Sequence, residues 1–230
     1  MKLATLYFNR DDKNFDVLVN VWKKSAYVQM PHVKQDVVKL DYKIENRHVA
    51  MAKAHIAMCD YILKQTDPVV MCDSDLLFIG DVTKGLDEVR HLGFTIRKTK
   101  RQFSSGVWFY HPTPIAKKMI QFWKDETELM LKNTDDIMLA RKEYGGIDQL
   151  SQARTYERFS EHIDLLPCCI YNAEKTCWKN MNKDCTVVHI YSDLRAIVQN
   201  GKPITKETRH LQRWVDLWRS YANEVCHKPL

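Results

Sequence analysis

Val69-Val70-Met71-Cys72-Asp73-Ser74-Asp75-Leu76-Leu77-Phe78 is the stretch on which the fold turns. Its four leading apolar residues have the length and continuity of a strand buried on both faces, as in a parallel sheet covered by helices. Asp67-Pro68, just ahead, breaks the helical pattern that precedes it. Two carboxylates spaced i, i+2 follow the apolar run, so both can face one side of the strand end. Ligands of open α/β sheets bind just outside the carboxyl ends of strands. Paired acids at that place form a hard-oxygen site for Mg²⁺ or Mn²⁺, with positions left for phosphate oxygens. The plainer reading of the same residues is an Asx turn that ends the strand.

Outward from this stretch, strand and helix patterns alternate. Residues 3–7 are β-prone, and Phe15, Leu18, Val19 and Trp22 make a helical stripe over 15–25. A second strand is expected at 37–40, and an amphipathic helix over 46–64 through Val49, Ala52, Ile56, Cys59 and Leu63. Beyond the acids, strands are expected at 92–96 and 106–110, then a helix from 114 to about 131 opened by Thr113-Pro114. A helix over 148–156, a strand over 186–190 and a last helix over 205–225 complete the series. The last carries Leu211, Trp214, Trp218, Tyr221 and Val225 on one stripe. This order predicts an α/β protein with a mainly parallel sheet flanked by helices. With no repeat, linker or low-complexity tract, residues 1–230 are expected to form one domain, 196–230 being a helical extension packed on it.

Composition narrows the class. The 230 residues are 45% hydrophobic and 28% charged, with seven Gly and seven Pro, which argues against disordered, fibrous or linker-rich designs. No apolar run has the length of a membrane-spanning helix. The opening apolar residues reach Asn9-Arg10-Asp11-Asp12 too soon for a secretory signal, so a cytoplasmic protein is expected. The seven cysteines read as reduced thiols, and those near His189 lack the paired C-x-x-C knuckles of a structural zinc site. Lys+Arg exceed Asp+Glu by 35 to 29, and the surplus concentrates in Arg97-Lys98-Thr99-Lys100-Arg101. That run reads either as a solvated charged turn or as a surface for a polyanion. Arg209, Arg213 and Arg219 beside the Trp-rich stripe leave a membrane-surface helix open, but a core-facing stripe is the expectation.

Three further stretches carry a likeness: Phe103-Ser104-Ser105-Gly106-Val107, Gly146-Ile147-Asp148-Gln149, and His189-Ile190-Tyr191-Ser192-Asp193-Leu194-Arg195. With the Asp73/Asp75 motif, in the same order, they resemble the F-N-S-G-V, D-Q, H-x-x-G-x-x-K and D-x-D motifs of GT-A-fold glycosyltransferases. The likeness is greatest to the glycogenin and galactosyltransferase-like retaining family, and it covers about residues 1–195. Ser104 stands for that family's Asn, Ser192 for its Gly, Arg195 for its Lys, and Ala196-Ile197 replaces Pro-Trp.

The resemblance implies a single Rossmann-like GT-A domain that moves a hexosyl or pentosyl group from a nucleoside-diphosphate-sugar, a UDP-sugar foremost, to a hydroxyl acceptor with retention. Asp73, Asp75 and His189 would hold Mn²⁺ (or Mg²⁺), with Ser74 between the acids on the donor side. Arg195 would bind the diphosphate, Ser105 and Gly106 would lie near the sugar, and Asp148 and Gln149 beside the anomeric carbon. Thr5, Leu6, Tyr7 and Asp11 would border the nucleoside, and either Arg47 or Lys53, on different faces of one helix, the phosphates. Arg97, Lys98, Lys100 and Arg101 would overlook the acceptor, which could be a glycan, glycolipid, protein or modified DNA. Residue by residue, plainer readings stand beside these: a satisfied strand-end His189, a helix-capping Asp148, a turn at Ser105-Gly106, a surface Arg195. Should the reaction invert, Asp148 is the general-base candidate. Rival readings of the whole are a metal-dependent nucleotidyltransferase and a non-catalytic nucleotide- or polyanion-binding module.

Overall fold

The continuous apolar runs of the central strands dictate two buried faces, and the chain covers both. In the computed structural model, which describes residues 1–9, 15–42, 46–99 and 102–226, β1 (Lys2–Tyr7) leads to α1 (Asp16–Gln29), β2 (Lys34–Lys39) and α2 (Arg47–Leu63). There follow β3 (Val69–Cys72), β4 (Leu76–Phe78), β5 (Leu92–Ile96), β6 (Phe103–Tyr110) and α3 (Pro114–Met130). The rest comprises α4 (Thr134–Leu139), α5 (Ile147–Phe159), β7 (Ile163–Pro167), α6 (Cys168–Tyr171), β8 (Val187–His189), α7 (Ser192–Asn200) and α8 (Gln212–Cys226).

Six strands form one sheet in the order β2-β1-β3-β6-β5-β7, while β4 and β8 pair as a separate antiparallel ribbon. β1 runs parallel to β2 and β3, β5 parallel to β7, and β6 alone runs against its neighbours. The sheet is therefore mainly parallel, and the chain is a single α/β domain closed by a C-terminal helix, as its element order predicts. Leu3, Val70, Cys72, Val107 and Phe109 face Trp22 and Ala26 of α1 on one side. Ala4, Leu6, Val69, Met71 and Trp108 face Ile62 of α2 and Met119, Ile120 and Trp123 of α3 on the other. The even and odd positions of β1 and β3 part cleanly between these two cores, as period-2 geometry requires.

Local signals account for many boundaries. Thr113 Oγ1 accepts from the Ala116 N–H at 3.2 Å with Pro114 in the first turn, so the expected start of α3 is capped as its sequence suggests. β2 begins earlier than expected, at Lys34, and lies at the sheet edge, where its lysines discourage further strand pairing. The last helix starts later, at Gln212, because residues 205–208 close a polar turn: Thr205 N donates to Thr208 Oγ1 at 2.8 Å and Thr205 Oγ1 to Glu207 at 2.6 Å. α7 straddles the join between the 189–195 stretch and the expected extension over 196–230, and is a separate helix ended by Gly201 at φ 66°. Leu211, Trp214, Val215, Trp218 and Tyr221 bury against Leu18 and Val21 of α1 and Val188 of β8, so the Trp stripe is core. No helix among the described residues is long and apolar enough to cross a membrane.

Candidate metal and donor site

The acids sit where β3 ends, and the backbone on both sides locks them in place. Asp73 N donates to Gly106 O of β6 at 2.7 Å, and Ile190 N, just past β8, donates to Asp75 O at 2.7 Å. Pairing of β4 with β8, with Leu76 opposite His189, then carries the imidazole over the acids. His189 Nε2 lies 3.2 Å from Asp75 Oδ1 and 3.7 Å from Asp73 Oδ2. One potential ligand atom from each of the three residues falls within 4.8 Å of the others. Two carboxylates and an imidazole make a donor set suited to Mn²⁺ or Mg²⁺. Crowding supports the fit: the Asp73 carboxyl is raised to about 6, chiefly by burial, with His189 opposing and Asp148 adding to the rise. A cation would favour the charged form that burial disfavours. Asp73, Asp75 and His189 thus come together as the sequence places them, with Ser74 buried between the acids.

Arg195 also reaches this cluster. Its guanidinium contacts Asp75 Oδ2, donates from Nε to Ile190 O at 2.9 Å, and lies 5.4 Å from the centroid of the Phe15 ring. Ser192, the first residue of α7, has φ 51°, a left-handed conformation in which glycine would be unstrained.

Asp148 and Gln149 open α5. Ser105 Oγ donates to Asp148 Oδ2, tying the β6 strand to that helix. Trp123 Nε1 and Ser151 Oγ donate to the Asp148 carbonyl at 3.3 and 3.0 Å, which fixes the helix start. Gln149 Oε1 is buried and meets no donor among the described residues. Gly106 lies against the polar residues beside the acids. A Cβ there would stand 2.7 Å from Asn172 Nδ2 and 2.9 Å from His189 Cε1, so the missing side chain makes room for His189.

The remaining expectations separate. Thr5 and Leu6 are buried in the sheet, Thr5 Oγ1 without a partner among the described residues, and Tyr7 donates its hydroxyl to Asp16 Oδ1 at 2.8 Å. Lys53 is exposed on α2, Arg47 begins that helix, and Asp11 lies outside the described residues. Arg97 corrects the reading of the basic run. Its side chain is only 14% exposed and pairs with Glu174, Nε to Oε2 at 2.6 Å, so it is no part of a free cationic surface. Lys98 is exposed, while Lys100 and Arg101 fall outside the described residues. Cys59, Cys72, Cys168, Cys169, Cys177 and Cys185 are free thiols, and Cys177 is brought down to about 6, chiefly by hydrogen bonding from Cys168.

Sequence reasoning missed Asn172 and Glu174. Both are buried, and both belong to a polar network behind His189. Their signal was weak: two polar residues flanking Ala173 in a segment otherwise noted only for its cysteines.

No family model matches the chain, and no curated protein matches it. Solved structures do. A galactosyltransferase, LgtC, in complex with donor and acceptor sugar analogs aligns with TM-score 0.61 at 13% identity, over 100% of this chain and 98% of that one. A glycosyltransferase involved in glycosylation of the major capsid of PBCV-1 aligns with TM-score 0.61 at 11% identity, over 85% of this chain and 97% of that one. The glycosyltransferase GlyE of Streptococcus pneumoniae aligns with TM-score 0.57 at 17% identity, over 97% of this chain and 63% of that one. At these identities the likeness establishes the fold: the architecture is the GT-A-like fold of glycosyltransferases.

Proposed function

We propose that this chain is a divalent-metal-dependent glycosyltransferase that takes a sugar from a nucleoside-diphosphate-sugar, a UDP-sugar foremost, and passes it to a hydroxyl acceptor with retention. The observation that carries the reading is the convergence of Asp73, Asp75 and His189 from separate segments of the chain at the carboxyl end of β3. Asp73, Asp75 and His189 would hold Mn²⁺ or Mg²⁺, and the ion supplies Lewis-acid stabilisation of the charge on a departing diphosphate. Arg195, already beside Asp75, is placed to turn its guanidinium fork to phosphate oxygens. Gln149, next to Asp148 in the first turn of α5, would hydrogen-bond a sugar hydroxyl. Asp148, oriented by Ser105, supplies negative charge near the anomeric carbon and positions the donor. A glycan, glycolipid or protein hydroxyl is the acceptor we favour, because the loss of Arg97 to an internal ion pair weakens the case for DNA or another polyanion.

The test is a thermal-shift panel of nucleotide-sugars with and without Mn²⁺, since a ligand that binds only the native state raises stability by mass action. One or more UDP-sugars should raise the melting temperature only with the ion present. Asp75→Asn should abolish that rise and the accompanying metal-dependent sugar transfer or hydrolysis. A wild-type protein stabilised by no nucleotide-sugar under either condition would sink the proposal.

A further inference from the structure

Behind His189 runs an unbroken polar chain that nothing in the donor site itself requires. His189 Nδ1 lies 3.0 Å from Asn172 Oδ1, and Asn172 Nδ2 donates to Ser104 Oγ at 2.8 Å. Ser104 Oγ donates to Glu174 Oε1 at 2.5 Å, and the other Glu174 oxygen pairs with Arg97 at 2.6 Å. Ser104, Asn172 and Glu174 are 1%, 0% and 5% exposed, so water does not offer substitute partners.

The direction of every hydrogen bond follows from the ion pair inward. The Glu174 carboxylate, paired with Arg97 through one oxygen, accepts through the other. The Ser104 hydroxyl must therefore spend its one proton on Glu174 and receive a bond on its oxygen. Only the NH₂ end of Asn172 can supply that bond, so the amide oxygen is turned to His189. An oxygen opposite Nδ1 demands a proton on Nδ1. In neutral imidazole the other nitrogen is then a bare lone pair, and Nε2 is the atom that faces Asp73 and Asp75.

We infer that Arg97 and Glu174, acting through Ser104 and Asn172, hold His189 in the Nδ1–H tautomer that leaves Nε2 free for a metal ion. They are positioning residues, and the inference rests on the metal-site reading above. The arrangement also gives Ser104 a purpose in the place of the family's Asn, because a hydroxyl relays one proton in one direction. Gly106 belongs to the same device, since any side chain there would collide with both Asn172 and His189.

The experiment uses the full chain. Long-range ¹H–¹⁵N NMR of the metal-free protein at mildly alkaline pH reads the His189 tautomer, its signals assigned by their loss in His189→Asn. Free Mn²⁺, followed by electron paramagnetic resonance, reads affinity without reference to activity. Wild type should show Nδ1–H. Glu174→Gln, which places a donor against Ser104 and reverses the chain, should shift His189 toward Nε2–H and weaken Mn²⁺ binding about tenfold or more, the scale of outer-shell partners. Ser104→Ala, which cuts the chain and leaves the ion pair intact, should act in the same direction and serves if Glu174→Gln does not fold. Arg97→Lys, retaining the charge, should keep the wild-type tautomer. A folded Glu174→Gln or Ser104→Ala with wild-type tautomer and Mn²⁺ affinity overturns the inference. If wild type binds no Mn²⁺, the metal-site reading fails, and the NMR comparison still decides whether the chain sets the tautomer.

Discussion

His55 shows how one side chain couples the core to the site. It is 4% exposed, its ring centroid lies 4.3 Å from that of Trp123, and Nε2 is 3.4 Å from Cys59 Sγ. Burial pushes its pKa down to about 4, partly offset by the nearby charge of Asp148. A base whose folded value lies below its unfolded value of about 6.5 stabilises the native state fully above that unfolded value. The contribution is lost as pH falls toward 4. Urea denaturation should thus show wild type losing on the order of 2–3 kcal/mol more than His55→Gln between neutral and pH-4 conditions. Parallel pH profiles for the two proteins would contradict it. At this scale the sequence was legible wherever residue type alone constrains chemistry, as at Asp73, Asp75 and His189. It was not legible at Arg97, which a charge run counts as surface. Its partner Glu174 lies 77 residues away in the chain, a separation that residue type does not reveal.

At the scale of elements, α7 is the informative case. It begins at Ser192 with φ 51° and presents Arg195 one turn later to Asp75. A non-glycine residue in the left-handed region carries strain of about 1–2 kcal/mol, tolerated here because the turn between β8 and α7 must swing His189 and Arg195 onto one centre. Ser192→Gly should therefore be neutral or slightly stabilising, whereas a β-branched Ser192→Val should cost about 1–3 kcal/mol in denaturant titration. Equal stability of the Val variant and wild type would mean that the turn is not strained. The helix itself went unread as a separate unit although Asn200-Gly201 marks its end, because it straddles the 189–195 stretch and the expected extension over 196–230. β4 has three residues, too few to show a period, and β7 holds Asp164 and ends in Pro167, neither of which favours a strand.

Across the whole molecule, α8 is an integral part of the fold, since its Trp stripe closes a core shared by α1, β4, β8 and α7. That core supports the ribbon from which His189 projects. Trp214, 3% exposed, should be among its most sensitive members. Trp214→Ala is expected to cost about 3–5 kcal/mol and to loosen the β8 end of the site. A loss below about 1 kcal/mol would mean that α8 contributes little to the domain. From the sequence alone followed the α/β class, the mainly parallel sheet, the two-faced strands and the identity of the converging acids and histidine. Those properties depend on local periodicity and on chemistry carried by residue type. Only the tertiary structure decided that Gly106 makes room for His189, that Arg97 turns inward to Glu174, and that Asn172 and Ser104 complete a directed chain to the imidazole. Each of these depends on which side chains from distant segments share a buried space, and burial is what obliges them to satisfy one another.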